Sequence, residues 1–456
     1  MNKKLMALAV AGAVAAPGLA VAQTSLTPQA LVPAPGVASS NGITLYGRLD
    51  EFVMVNKFST SGNGAVAELK KGDIYAAGNA MGFRGREDLG GGTAAWFQLE
   101  IGVWPDARME ASATTGNNWG GRNSGIGISS GAGDVLLGVW DTPYNVTYGV
   151  WNSMTSSGLG AAGITMGNGN TTGALPSFLS TGVQCNNIVA NSSGTPVAGT
   201  NAVCVTEATS NTTAFSRRTN NSVQYWSPIM AGFQVKLMTA LANYQQPNTN
   251  GFANGGYQKA KEWSGSLAYA QGPFSAAFGY DSHEGFRPGT TAGADANPKD
   301  TAWTLGGKFN FGMGEVGAGY ESIKYGDNHG GANGASANGM TVPSWVVNGR
   351  VNVGPGGFFA SYSKTDAKSC TTSTTVIGSA ACGVQAKMFA LGYDYVLSKR
   401  TKMYVAYNKI DNGFTNGVGS SYYYVAGPAA NLNGSSGALA QGTDVTSYGF
   451  GLQHTF

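Results

Sequence analysis

The strongest constraint in this chain is a two-residue alternation of apolar and polar side chains that recurs along almost its whole length. Such a period puts successive side chains on opposite faces of an extended strand. Ile43, Leu45 and Leu49 alternate with Thr44, Tyr46, Arg48 and Asp50, and Trp303, Leu305, Phe309 and Phe311 alternate with Thr304, Gly306, Lys308 and Asn310. Trp345, Val347, Val351 and Val353 alternate with Val346, Asn348, Arg350 and Asn352, and Tyr448, Phe450, Leu452, His454 and Phe456 share one face. The pattern predicts sixteen strands, over 43–55, 75–87, 93–103, 122–130, 133–140, 220–227, 232–242, 262–271, 273–282, 301–311, 315–325, 344–353, 356–365, 385–397, 401–410 and 446–456. The gaps alternate between tight turns (such as 88–92, 131–132 and 354–355) and long loops (56–74, 104–121, 141–219, 243–261, 283–300, 326–343, 366–384 and 411–445).

An even number of strands with strictly alternating short and long connections describes an antiparallel, up-and-down sheet with two unequal ends. Most of the strands approach the 9–11 residues that a tilted strand needs to cross a bilayer. A transmembrane sheet must close into a barrel, because an open edge in lipid leaves backbone N–H and C=O groups without partners. The expected fold is therefore all-β: a 16-stranded antiparallel transmembrane β-barrel with short periplasmic turns and long external loops. A secreted β-sandwich or β-helix is the competing reading, but a repeat fold needs a fixed period that is absent here. Composition agrees with the barrel. Charged residues are 11 % and mean hydropathy is −0.10, so the scarcity of charge is not offset by long greasy runs. That excludes a helical membrane protein, which needs repeated apolar runs of roughly 20 residues. Aromatics at 11 % argue against disorder, and charged residues at only 11 % argue against an ordinary charged-surface enzyme.

The first residues carry an address. Lys3 and Lys4 precede an uncharged apolar run that ends in Ala20-Val21-Ala22, so residues 1–22 read as a signal peptide. Residues 23–41, with three prolines and no charge, read as a flexible periplasmic leader, and 42–456 as the barrel, with 141–219 its third loop. Basic and acidic residues are nearly balanced and no stretch tracks phosphates, so no nucleic-acid partner is expected. Export permits disulfides. Cys185 and Cys204 lie in one polar stretch and Cys370 and Cys382 in another, so local bridges Cys185–Cys204 and Cys370–Cys382 are the economical pairing. Wide cysteine spacing and scattered histidines make a metal site less favoured, and no cofactor motif stands out. With His283 and His329 placed in loops and His454 near the terminus, no catalytic constellation is expected either.

By strand parity Arg48, Arg84, Arg86, Lys236, Lys308 and Arg350 point into the lumen, with Asp50 and Glu321 among their inward acidic neighbours. A basic ladder in a low-dielectric pore raises local anion concentration. Between 141 and 219 only Asp141 and Glu207 are acidic and only Arg217 and Arg218 basic, and the start of that loop supplies Tyr144, Tyr148 and Trp151 as eyelet aromatics. Aromatics near strand ends, namely Tyr46, Trp96, Trp104, Trp140, Tyr225, Trp226, Trp263, Trp303, Tyr393, Tyr395, Tyr404 and Phe456, suit an interface belt.

Several segments resemble the general porins of Gram-negative β-proteobacteria: TLYGRLD (Thr44–Asp50), FRGREDLGGGTAAWFQLE (Phe83–Glu100), NSVQYWSP followed by AGFQ (Asn221–Gln234), LGYDYVLSKRTKMYVAY (Leu391–Tyr407) and the terminal GFGLQHTF. The resemblance spans almost the whole mature chain. It implies a homotrimer in the outer membrane, against lipid and lipopolysaccharide, with the third loop folded into each lumen. It also implies that Arg122 is a pore arginine, although alternation leaves its side open, and that Phe456 is the signal read by the barrel-assembly machinery. Departures from the family pattern are Asn79-Ala80 where Ser-Arg is usual, Val139 where a basic residue is common, and no Pro-Glu-Phe-Gly-like stretch in the third loop. The function expected is passive diffusion of small hydrophilic solutes and ions with mild anion preference. A substrate-specific channel for a sugar or carboxylate, or a non-conducting adhesion or structural barrel, remains the alternative.

Overall fold

The computed structural model describes residues 42–60, 69–76, 78–103, 105, 121–154, 215, 218–240, 246–247, 257–258, 261–284, 299–325, 329–330, 336–337, 340–366, 385–415, 418–419 and 443–456. Residues 1–22 and 23–41, expected to be a signal peptide and a leader, lie outside the described residues, as do Trp104, most of 141–219 and all four cysteines. Seventeen strands form one sheet: β1 Gly42–Thr60, β2 Leu69–Ala76, β3 Ala80–Gly90, β4 Thr93–Gly102, β5 Ser124–Ser130, β6 Gly133–Asp141, β7 Arg218–Trp226, β8 Phe233–Ala240, β9 Lys261–Gln271, β10 Phe274–Glu284, β11 Lys299–Asn310, β12 Gly314–Tyr325, β13 Met340–Val353, β14 Gly356–Asp366, β15 Gln385–Val396, β16 Thr401–Asn412 and β17 Thr443–Thr455. Every neighbouring pair is antiparallel, and β1 pairs with β17 from Arg48↔Thr455 to Thr60↔Thr443, which closes the barrel.

Seventeen strands fill sixteen wall positions because β2 and β3 are one crossing with a break. β1 pairs with β3 from Gly42 to Arg48 and with β2 from Glu51 to Phe58. Opposite the gap, the Asp50 N–H has no strand partner and donates instead to Asn79 Oδ1 at 2.6 Å, while Asn79 Nδ2 donates to Glu51 Oε1 at 2.5 Å. The side-chain amide thus replaces the missing ladder bond, as a buried backbone donor requires. This is what the departure at Asn79 does.

The faces divide as lipid demands. Large apolar side chains such as Ile43, Leu45, Val53, Leu237, Leu305, Val347, Val405 and Phe450 are exposed on the outside. Aromatic pairs edge this band. Phe233–Tyr269, Phe274–Phe309 and Phe358–Tyr393 lie beside the tight turns, while Trp303–Tyr320 and Trp345–Tyr362 lie toward the long loops. Trp303 and Phe311 are eight residues apart, about 20 Å of height at ~3.4 Å per residue and ~40° tilt, close to the apolar band of an outer-membrane barrel.

The belt expectation is corrected for five rings. Tyr46, Trp96, Trp140, Trp226 and Tyr404 are buried on the inner side, where Trp96, Leu136, Trp140 and Trp226 form one cluster. Position near a strand end does not set the face; parity does, and Trp96 shares its parity with Gln98 and Glu100. Tyr225, Trp263, Trp303, Tyr395 and Phe456 do lie on the outside. The chain ends against its own start: the Gly47 and Phe456 backbones exchange hydrogen bonds at 3.1 and 3.0 Å. A Cβ at Gly47 would stand 2.3 Å from the Phe456 ring, so only glycine admits the terminal aromatic there.

Candidate functional site

The third loop enters the lumen as a short strap, residues 142–154, whose start is dictated locally. Thr142 caps the first turn, its Oγ1 accepting from Asn145 N–H at 3.1 Å, and Pro143 supplies a preset φ at the first helical position. Two single-turn helices follow, α1 Pro143–Val146 and α2 Tyr148–Trp151. Asp141 anchors the entry. Its carboxylate accepts from Asn123 Nδ2 at 2.8 Å and Asn145 Nδ2 at 3.0 Å, and Arg218 lies 3.5 Å away.

The strap seats on the inner face of β9–β13. Tyr144 N–H donates to Ser264 Oγ (3.0 Å), Ser275 Oγ donates to the Val150 carbonyl (3.2 Å), and Ser153 N–H donates to Asn348 Oδ1 (2.8 Å). The Tyr144 hydroxyl donates to Glu321. Trp151 is wholly buried in a hollow floored by glycine. A Cβ at Gly306, Gly317 or Gly319 would fall 2.0–2.5 Å from a Trp151 atom, and one at Gly279 would meet Thr147 at 2.9 Å. Period-two strands place these glycines on the lumen face, and their missing side chains make room for the strap.

The predicted lumen residues divide into two sectors. On β1, β3 and β16, Arg48, Arg84, Arg86 and Lys402 face inward with Asp50. Arg48 lies 3.7 Å from Asp50, whose carboxylate also accepts from Tyr404 Oη at 2.7 Å and Gln453 Nε2 at 3.0 Å. Arg84 sits over the Tyr46 ring at 5.0 Å, and both Arg84 and Arg86 are part-exposed. Arg122, which the alternation could not place, lies inside: its Nε donates to Glu100 Oε1 at 2.7 Å, just ahead of β5 rather than within it. Lys236 is buried over the Trp226 ring at 4.3 Å. Arg350 forms a two-pronged pair with Asp394 at 2.7 and 2.5 Å, and Lys308 lies 3.2 Å from Glu315.

Across the lumen, β9–β12 carry Glu262, Asp281, Asp300 and Glu321 on the inner face, all between 0 and 2 % exposed. Tyr144 of the strap lies on Glu321, and the ring of Phe215, from the far end of the third loop, is stacked 4.4 Å above His283. His283 was expected in a loop. β10 runs to Glu284, so His283 instead shares an inward face with Gly279 and Asp281. Alternation was enough to put Glu100, Lys402 and Asp394 on the inner face, whereas Asn79 and Phe215 lie outside the strands and only the three-dimensional arrangement brings them to the lumen.

A model of the Gram-negative porin family matches residues 7–416. The chain belongs to that family. The porin is 25 % identical to "Outer membrane porin protein 32" of Delftia acidovorans over 459 aligned residues, the whole of both chains. It is also 32 % identical over 112 residues to "Major outer membrane protein P.IB" of Neisseria gonorrhoeae, covering 24 % of this porin and 30 % of that one. In structure it is similar to an "Anion-selective porin from Comamonas acidovorans", with TM-score 0.59, 22 % identity, and 91 % and 100 % of the two chains covered. It is also similar to the trimer form of OmpT from Vibrio cholerae, with TM-score 0.50, 13 % identity, and 92 % and 100 % covered. These two structural likenesses concern the barrel. Family and fold together make this porin an outer-membrane channel for passive diffusion.

Proposed function

We propose that this channel passes small hydrophilic solutes and ions with a mild preference for anions, and that it does so without catalysis or solute-specific binding. The observation that carries the reading is the unequal accessibility of charge. Four carboxylates of β9–β12, Glu262, Asp281, Asp300 and Glu321, are buried on the side where the strap and Phe215 lie, whereas Arg84 and Arg86 on the far wall are part-exposed. Fixed positive charge facing water in a low-dielectric passage raises the local anion concentration. The anion selectivity named for the Comamonas acidovorans porin supports the same sign. Against a sugar-tracking channel, the lumen tryptophans Trp96, Trp140 and Trp226 are buried against one another and offer no open aromatic path.

The channel is proposed to work as a homotrimer against lipid and lipopolysaccharide. The Vibrio cholerae trimer and the apolar outer band support this. Residues 1–22 are proposed to be removed on export, and Phe456 to be read by the barrel-assembly machinery. The test is planar-bilayer recording on refolded protein under a salt gradient. The reading expects ohmic steps that scale with salt and a zero-current potential of anion sign. A cation-sign potential would reject the preference. Saturable, solute-blocked currents would favour a substrate-specific channel, and no conductance at all a structural barrel.

A further inference from the structure

Apart from the ion path, the external half of the wall holds a cluster that passive diffusion does not use. Glu262 on β9 and His283 on β10 are direct cross-strand partners, and Asp281 stands two residues before His283 on the same face. Each offers one ligand-type atom, and those atoms all lie within 4.8 Å of one another. His283 Nε2 is 3.1 Å from Asp281 Oδ1 and 3.5 Å from Glu262 Oε1. Ligands about 2.0–2.1 Å from a tetrahedral zinc ion stand roughly 3.3 Å apart, so both edges already have the required length. The three side chains are 0–1 % exposed. On the far side of His283, its register partner on β11 is the buried Asp300.

Charge points the same way. Glu262 and Asp281 surround one imidazole, so the group stays negative even with His283 protonated, and a divalent cation would compensate it. The surroundings suit a metal as well. Thr219 Oγ1 donates to Glu262 Oε1 at 2.8 Å, orienting that carboxylate, and Phe215 lies flat on the imidazole at a 10° interplanar angle and shields it from the lumen. Asp281 is wholly buried, and its Oδ1 lies 3.1 Å from His283 Nε2, so its carboxylate faces the same small volume as the imidazole. We propose that Glu262, Asp281 and His283 form a binding site for a divalent transition-metal ion of the zinc type. Oxygen ligands with one imidazole suit zinc better than a soft, thiolate-seeking ion. Bound there, the ion would tie β9 to β10 beside Phe215 and Thr219, where the third loop rejoins the wall.

The test uses the full mature chain, refolded in detergent, stripped with chelator and titrated with zinc in a calorimeter. One zinc per chain is expected, with affinity falling about tenfold or more in Asp281→Asn and in His283→Gln. A His329→Gln/His454→Gln double variant should bind as the parent does. Assembly of each variant is checked by heat-shifted gel mobility. If the ligand variants fail to assemble, cobalt added to the unaltered protein decides: intense visible bands of a four-coordinate nitrogen–oxygen site support the proposal, and the pale aquo spectrum overturns it. Absence of stoichiometric zinc uptake, or uptake unchanged in His283→Gln, would leave only a buried ion-pair triad and overturn the proposal too.

Discussion

The two sides of the lumen carry opposite charge and are finished in opposite ways. On β9–β12 five carboxylates, Glu262, Asp281, Asp300, Glu315 and Glu321, face inward against Lys308, and the strap lies over most of that sector. On β1, β3 and β16 the inward charges are Arg48, Arg84, Arg86 and Lys402 against Asp50 and, at the turn end of β3, Asp88, and among the described residues no strap covers them. Counting charges around the barrel would give near neutrality. What a solute meets depends on which charges the strap leaves in contact with water.

The contrast rests first on Trp151. Trp151→Ala removes the side chain that fills the glycine hollow, a change that costs about 3–5 kcal/mol in a packed core. It should free the strap, raise single-channel conductance and weaken anion preference as the acidic sector opens; conductance recordings on the variant check this. Next, Gly317→Val places a side chain where the Trp151 carbonyl lies, and overpacking of this kind costs about 1–3 kcal/mol. It should reproduce the Trp151→Ala phenotype in weaker form, and an unchanged conductance would mean the strap has another hold. On the basic side, Arg84→Glu with Arg86→Glu should carry the zero-current potential toward cations while leaving thermal unfolding nearly unchanged, because both side chains are part-exposed.

Smaller effects sharpen the boundary between structure and field. Asn79→Ala leaves the Asp50 N–H without its acceptor, at a cost of about 1–3 kcal/mol. It should lower the unfolding temperature and leave the sign of the zero-current potential as it was. The smallest effect belongs to Lys409, which pairs with Asp411 at 2.6 Å on the exposed outer side. Lys409→Ala should change stability by less than about 1 kcal/mol by thermal melt, and selectivity not at all.

The barrel was legible in the sequence because its signals are local. Alternation over a few residues fixes each strand, and the rhythm of turns fixes the topology. The extension of β10 to His283 escaped because strand ends are weakly marked. The strap seat escaped for a different reason. Gly279, Gly306, Gly317 and Gly319 are far from Trp151 in sequence, and nothing in a glycine announces what will occupy the space it leaves. The inward tryptophans were within reach, since Trp96 alternates in step with Gln98 and Glu100, and Trp226 with Gln224. Charge pairing was not, because Arg350–Asp394 and Arg122–Glu100 require a register that parity alone does not supply.

The most direct measurement compares two cysteine variants, Arg84→Cys and Glu321→Cys, during single-channel recording, with the parent protein as the background for native thiols. A small, negatively charged thiol reagent is added to the bath. Arg84→Cys should react and lose conductance in discrete steps, while Glu321→Cys, beneath Tyr144, stays silent. Equal reaction at both positions would show that water and solute reach the acidic wall as freely as the basic one, and would contradict the account.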